Sequence, residues 1–191
     1  MRYWIGYPEK ACGQYLMDKL ELFEKALWRA VMPPPPLTAL EWVESSNGPV
    51  LSERTSGISG KLNLDVTPYL RHPLESFSKP DIERIGMCFG TQSGKTTFLQ
   101  CIIGYIIDHD PGPLMFLRPT QSEAADFSRD RMIPFILDCP ATARHIIGRI
   151  EDNIRPLEYR FDRMTVRYAW SQSEVSVRIH PIRSLIKDES S

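Results

Sequence analysis

One short run carries residues whose types and spacing suit work on an anion. It is Arg84-Ile85-Gly86-Met87-Cys88-Phe89-Gly90-Thr91-Gln92-Ser93-Gly94-Lys95-Thr96-Thr97. It reads as a short apolar strand, a glycine-bearing turn and the opening of a helix that runs through Ile107. In that layout the amides of the turn and of the helix N-terminus point at phosphate oxygens, and the helix dipole adds positive potential. Lys95 reaches the outer phosphates as a point charge, and the Thr96 hydroxyl joins the shell of a magnesium ion. Gly94, Lys95 and Thr96 match the end of the pattern G-x-x-x-x-G-K-[ST]. Its first glycine position holds Phe89, and the nearest glycine is Gly90. A bare Gly-Lys-Thr also occurs in ordinary surface turns. The apolar run before it and the unbroken apolar helix after it favour the phosphate-binding reading.

Phosphate chemistry of this kind needs carboxylates at the tip of another strand. One holds the shell of a magnesium ion, and a second orients or deprotonates the attacking water. Asp188 and Glu189 form the Asp-Glu pair that directly follows a strand-like run, Ile182 to Lys187. The same doublet read alone is ordinary tail charge. Ser184 and Lys187 also interrupt a strand that would normally be wholly apolar, and a lysine is costly inside a covered sheet. Tyr69 precedes the phosphate-binding run. It either stacks on an adenine ring or packs the lid of the domain.

The elements that must position these groups follow from periodicity. Residues 9–32 carry a helical pattern through Leu16, Leu20, Phe23, Leu27 and Val31, and Pro33 to Pro36 end it. Residues 1–36 therefore form an N-terminal helix and a stiff proline spacer, and residues 37–191 form the main domain. Thr38 and Glu41 make a capping box for a short helix holding Leu40, Trp42 and Val43. Ser45 to Val66 reads as a surface loop with weak strand character, and Pro68 opens a helix that buries Leu70, Leu74 and Phe77.

Helix 95–108 is apolar nearly all round, as expected of a helix packed on a central sheet. Asp108 to Pro113 stops it, and Leu114-Met115-Phe116-Leu117 has the continuous apolar character of a strand covered on both faces. Strand, helix and strand in this order make a right-handed βαβ unit. Thr120 and Glu123 cap a helix from about Ser122 to Ile136. Residues 139–160 read as a further helix with Arg144, Arg149, Arg155 and Arg160, and Met164 to Trp170 read as a strand. Ser171 to Arg178 reads as a polar loop. The fold class is α/β: a mostly parallel sheet flanked by helices, like that of the P-loop NTPases.

Composition excludes several classes. The chain has 191 residues, 42% hydrophobic and 25% charged, ordinary for one globular domain or a little more. A formal net charge of −1 provides no general attraction to nucleic acid, so any DNA contact must use a local patch. No run is long and apolar enough to span a membrane, and the start lacks the order of a signal peptide. Cys12, Cys88, Cys101 and Cys139 lie far apart without a C-x-x-C pair. They read as reduced thiols of a cytosolic protein.

Several stretches together resemble the large terminase subunit of tailed phages, GpA type. They begin with Pro35-Pro36-Leu37-Thr38-Ala39-Leu40-Glu41-Trp42 and Thr67-Pro68-Tyr69-Leu70-Arg71. Gly90-Thr91-Gln92-Ser93-Gly94-Lys95-Thr96 and Asp108-His109-Asp110-Pro111-Gly112-Pro113 follow, then Pro119-Thr120 and Asp126-Phe127-Ser128-Arg129-Asp130-Arg131-Met132. Pro181-Ile182-Arg183 before Asp188-Glu189 closes the likeness, which covers about residues 33–189 in the family's order.

The resemblance implies an ATP-driven motor that threads double-stranded DNA into a procapsid in the bacterial cytoplasm. It implies ATP and Mg2+ as cofactors, and a small terminase subunit, the portal and sister copies as partners. Gly90, Thr91, Gln92, Ser93, Gly94, Lys95, Thr96 and Thr97 would then hold the nucleotide, with Asp188 serving the metal and Glu189 the water. Family members often carry a basic residue early in the loop. Phe89 and Gly90 stand there in this chain, which leaves Arg118 and Arg129 as candidates for the compensating charge.

Such subunits continue past the acidic strand to a nuclease domain, and in this ATPase class a later strand inserts between the phosphate-loop strand and the acidic strand. The expectation is an ATPase part truncated after the acidic strand, with a gap or an unpaired edge in the sheet. The competing readings are another helicase-like P-loop ATPase, or a non-catalytic terminase remnant acting as an interaction module.

Overall fold

A computed structural model describes residues 37–51, 60–90, 92–170 and 181–188. The chain divides into two units, Met1–Pro36 and Leu37–Ser191, and the description below concerns the second. The helix expected over 9–32, the proline spacer and the loop after Trp170 lie outside the described residues, as do Thr91 and Glu189.

The described chain opens with α1 (Ala39–Glu44). Its capping box forms in both directions. The Thr38 hydroxyl accepts from the Glu41 amide, and the Glu41 carboxylate accepts from the Thr38 amide at 2.8 Å. A two-residue ladder pairs β1 (Val50–Leu51) with β2 (Gly60–Lys61). A 3-10 turn, Pro68–Leu70, leads into α2 (Arg71–Phe77), with Pro68 in the first turn as expected.

The central element is α3 (Lys95–Asp108), buried on nearly every side from Phe98 to Asp108. After a short connection comes β3 (Leu114–Arg118), whose Leu114, Met115 and Phe116 are fully buried. The helix after it is longer than expected and has three parts: α4 (Gln121–Phe127), a π-helical turn at Ser128–Met132, and α5 (Ile133–Asp138). Pro134 explains the wide turn. Its ring offers no amide and would clash with the carbonyl of Asp130 in a regular α-helix, and a π turn relieves both problems.

The rest comprises α6 (Pro140–Ala143), α7 (Ile150–Asn153), β4 (Ile154–Arg155), β5 (Glu158–Arg160), β6 (Thr165–Trp170) and β7 (Ser184–Lys187). The main sheet has the order β4-β5-β6-β3-β7. Strands β6, β3 and β7 are parallel, and β5 and β4 extend them antiparallel, so the sheet is mixed.

Two expected elements are absent. The continuous helix expected over 139–160 is replaced by two one-turn helices and two short strands. Pro140 starts one of the helices, and Gly148 adopts φ +70°, which breaks any helix. The strand expected over Arg84–Phe89 does not form. Residues 82–90 carry no ladder partner, and Glu83 to Gly86 are exposed. The chain therefore has the helix and second strand of the expected βαβ unit without its first strand. An apolar run becomes a strand only where a neighbour takes up its amides and carbonyls, and none of the described strands does so here.

The core lies around α3. Gly104 sits beneath Trp42 so closely that a Cβ there would stand 2.6 Å from the indole. Trp42 and Phe135 are fully buried over this gap. The apolar helix face thus accepts the largest side chain of α1 at the one residue lacking a side chain.

Candidate functional site: the loop before α3 and the acidic end of β7

The loop expected to bind phosphate is held by its own residues and by Tyr69. Ser93 Oγ donates to the Gly90 carbonyl at 2.6 Å, and the Tyr69 hydroxyl donates to the Ser93 carbonyl at 3.0 Å. The Tyr69 ring meets Phe89 edge to face, with centroids 5.9 Å apart. Gln92 and Gly94 take φ of +59° and +81°, the left-handed region that turns the chain sharply. At Gly94 the backbone passes close to Tyr69 and Leu70, where a Cβ would stand 3.7 Å from each. Tyr69 thus packs the loop from below while remaining 47% exposed.

Helix α3 begins at Gly94, whose carbonyl accepts from the Phe98 amide at 2.9 Å. Among the described residues no side chain caps it. The amides of Lys95, Thr96 and Thr97 have no intrahelical acceptor, because a helix leaves its first N–H groups without one. Lys95, Thr96 and Thr97 are half-buried there. Among the described residues no carboxylate pairs with Lys95. A half-buried ammonium beside uncapped amides at the positive end of a 14-residue helix suits an anion.

At the carboxyl end of the parallel strands, Asp188 continues the β7 ladder by donating its amide to the Leu117 carbonyl at 3.2 Å. Its carboxylate pairs with the Arg118 guanidinium, and both side chains are largely buried, 15% and 11% exposed. The guanidinium also lies over the Phe127 ring, 4.9 Å from its centroid. Arg129, the other basic candidate, pairs with Asp126 on an exposed face. Beside Arg118 a groove of about 240 Å³ is lined by Glu123, Asp126, Phe127, Asp130 and Arg131.

The candidate residues therefore fall into two groups. Tyr69, Gly90, Ser93 and Gly94 are tied into one loop, and Asp188 is tied to Arg118. Among the described residues no hydrogen bond or ion pair joins Lys95 or Thr96 to Asp188. No three His, Cys, Asp or Glu side chains cluster into a metal cage among the described residues. Magnesium rarely uses such a cage. It takes one or two protein oxygens with phosphate and water, and the Thr96 hydroxyl and Asp188 carboxylate are donors of that hard-oxygen kind.

Lys187 lies on β7, the last strand of the sheet among the described residues. The exposed residues of β7 are Leu185 and Lys187, so the lysine expected to burden a covered strand is not buried.

A buried polar cluster went unread in the sequence. The Asp108 carboxylate, without solvent exposure, accepts from Trp42 Nε1 at 2.9 Å and Arg144 Nε at 3.1 Å, and bonds His145 Nε2 at 2.9 Å. His145 Nδ1 meets Asp162 at 3.1 Å. Burial pushes the Asp108 carboxyl up, but hydrogen bonds from His145, Arg144 and Trp42 outweigh it and hold the group at about 2. The bond to Asp108 raises His145 against the effect of burial. This cluster fastens the C-terminal end of α3 to its neighbours. It has no local signature, since each partner is remote in sequence.

No helix among the described residues is long and apolar enough to cross a membrane. No solved structure matches the chain. The large terminase subunit of Escherichia phage lambda is 22% identical over 125 residues, which span 65% of this chain and 19% of the lambda protein. The family described as phage terminase large subunit gpA, ATPase domain, matches residues 56–191, a stretch that contains the loop, α3 and the acidic strand. By that match the chain belongs to the gpA-type terminase ATPase-domain family.

Proposed function

We propose that this chain is the nucleotide-binding part of a DNA-packaging motor with a P-loop-like site. In this reading it binds ATP and Mg2+ at the start of α3 and couples their turnover to movement of double-stranded DNA. The observation that carries it is the start of α3: a left-handed Gly94, three amides without helical acceptors, and a half-buried Lys95 that pairs with no described carboxylate. Connectivity supports a shared site with Asp188. Only residues 109–113 separate α3 from β3, and in α/β units a helix runs antiparallel to the strand it joins. In that arrangement the N-terminus of α3 would face the carboxyl ends of β3 and β7.

The residues divide the work by chemistry. The amides at Lys95, Thr96 and Thr97 and the Lys95 ammonium would stabilise phosphate charge. Thr96 Oγ1 and Asp188 would hold Mg2+, which supplies Lewis-acid polarisation of the phosphoryl oxygens when bound. Glu189 would orient water. Tyr69 would keep the loop turned and offer its exposed face to the base. A small terminase subunit, a procapsid portal and sister copies in the host cytoplasm are the partners this reading implies.

Equilibrium binding of a fluorescent ATP analogue tests the reading. Lys95→Ala should weaken it by about tenfold or more, the loss of one charge-assisted contact. Equal binding by both proteins removes the nucleotide claim.

A second reading has its own support. Strand β7 ends the sheet among the described residues, and Leu185 on it is 54% exposed. An open edge with an apolar side chain suits a non-catalytic module that joins another chain. Size-exclusion chromatography with and without ATP and Mg2+ separates the readings, because a pure interaction module keeps one elution profile in both.

A further inference from the structure

We propose that Arg118 is a positioning residue that exchanges carboxylates. It holds Asp188 while no cation is bound, and passes to Glu123 when a divalent cation takes Asp188. The inference rests on the nucleotide reading above, which makes Asp188 a cation ligand.

Two orphaned atoms carry it. Arg118 Nε is buried without a hydrogen-bond partner, and so is Glu123 Oε2. Both residues line one groove. A buried N–H and a buried carboxylate oxygen left unmade are each unfavourable, and such pairs are uncommon in folded proteins. Here the two are chemically complementary. The Arg118 pairing with Asp188 satisfies one edge of the guanidinium and leaves the Nε edge open. The fork geometry of arginine would let it engage Glu123 instead.

Electrostatics supplies the reason to move. A divalent cation and a guanidinium cannot both sit tightly on one largely buried carboxylate, since solvent there screens their repulsion weakly. Phe127 supplies the pivot, because a guanidinium sliding over a ring face keeps its cation–π contact. Glu123 lies in the first turn of α4, where its amide bonds Thr120 Oγ1 at 3.3 Å. Occupancy at Asp188 is thereby relayed to the helix that continues through the π turn to Asp138.

The test is Mg2+-dependent binding of the fluorescent ATP analogue to the full chain, in wild type, Arg118→Gln, Glu123→Gln and Lys95→Ala. Arg118→Gln removes the competitor, so half-saturation should need about fivefold less Mg2+, within the usual range of site-to-site coupling. Glu123→Gln removes the alternative partner, so half-saturation should need about fivefold more Mg2+, with metal-free analogue binding unchanged. A merely structural role for Arg118 would weaken binding with and without metal alike. Glu123→Gln keeps the side chain's shape and leaves Asp188 paired with Arg118, so the test stays readable if Arg118→Gln folds poorly. A second readout is the Arg118 Nε resonance in a proton–nitrogen spectrum, which should move on adding Mg2+ and analogue to wild type and stay in Glu123→Gln. Shifts of the same sign in both variants, or none, overturn the exchange while a weakened Lys95→Ala leaves the nucleotide reading standing. A Lys95→Ala variant that binds as wild type overturns both.

Discussion

The indole Nε1 of Trp42 donates to the Asp108 carboxylate at 2.9 Å, joining α1 to the last residue of α3 across 66 positions of chain. His145 and Arg144 bond the same carboxylate and His109 Nε2 lies 3.3 Å from it, so it keeps its charge without solvent exposure. Such a group is stable only while its partners remain, so folding should depend on pH through this cluster.

The acid limb follows from Asp108. Its folded pKa of about 2 lies below the ordinary 3.8, so the stabilisation is present above about pH 4 and lost as pH falls toward 2. The loss should be on the order of 2 kcal/mol. The alkaline limb follows from His145, whose pKa is raised above 6.5. Its contribution is full below pH 6.5 and disappears as pH rises through the folded value. His109, lowered by burial, acts with the opposite sign. The His145 share should therefore appear as the difference between wild type and His145→Gln in urea unfolding at pH 6 and pH 8, with the gap narrowing at pH 8. A constant gap would remove His145 from this role.

Gly104→Ala should destabilise the unit by about 1–3 kcal/mol, the usual range for overpacking a full core. The added methyl meets Trp42 at 2.6 Å, and the indole cannot retreat without losing Asp108. Gly86→Ala, where nothing lies within 4 Å, should change stability by less than about 0.5 kcal/mol. Urea midpoints of the two variants provide the comparison.

Tyr69→Phe removes the hydroxyl bonded to the Ser93 carbonyl but keeps the ring against Phe89. Analogue affinity should drop by about threefold to tenfold, as for one hydrogen bond, with the melting temperature nearly unchanged. Tyr69→Ala should cost more in both measurements, because the loop then loses its packing as well. Unaltered affinity in Tyr69→Phe would show that loop position does not depend on this bond.

Leu185→Lys places a charge on β7, the edge strand among the described residues, where the side chain is already exposed. Static light scattering should show less self-association at high protein concentration, with stability within about 0.5 kcal/mol of wild type. Identical scattering would exclude this edge as the contact.

Local information decided much of what was legible in the sequence. The Thr38 capping box, the apolar circumference of 95–108 and the run Leu114 to Leu117 each involve residues within a turn or a strand of one another. The caps and helical periodicity act before any tertiary contact exists, so the sequence alone determined the two helices, while the apolar run of β3 needed β6 and β7 beside it to become a strand. The place of Gly94, Lys95 and Thr96 at the start of that helix was legible in the same way, because it depends on residue type and on the apolar run that follows.

Tertiary structure decided the rest. Arg84 to Phe89 has strand composition, but a strand needs a neighbour to bond, and whether one is at hand is not written in those six residues. The pairings Arg118 with Asp188 and Asp108 with His145 span 70 and 37 positions. Each forms because the sheet register or the end of α3 brings the groups together. Charge and burial there are properties of the assembled core, and no window of sequence contains them.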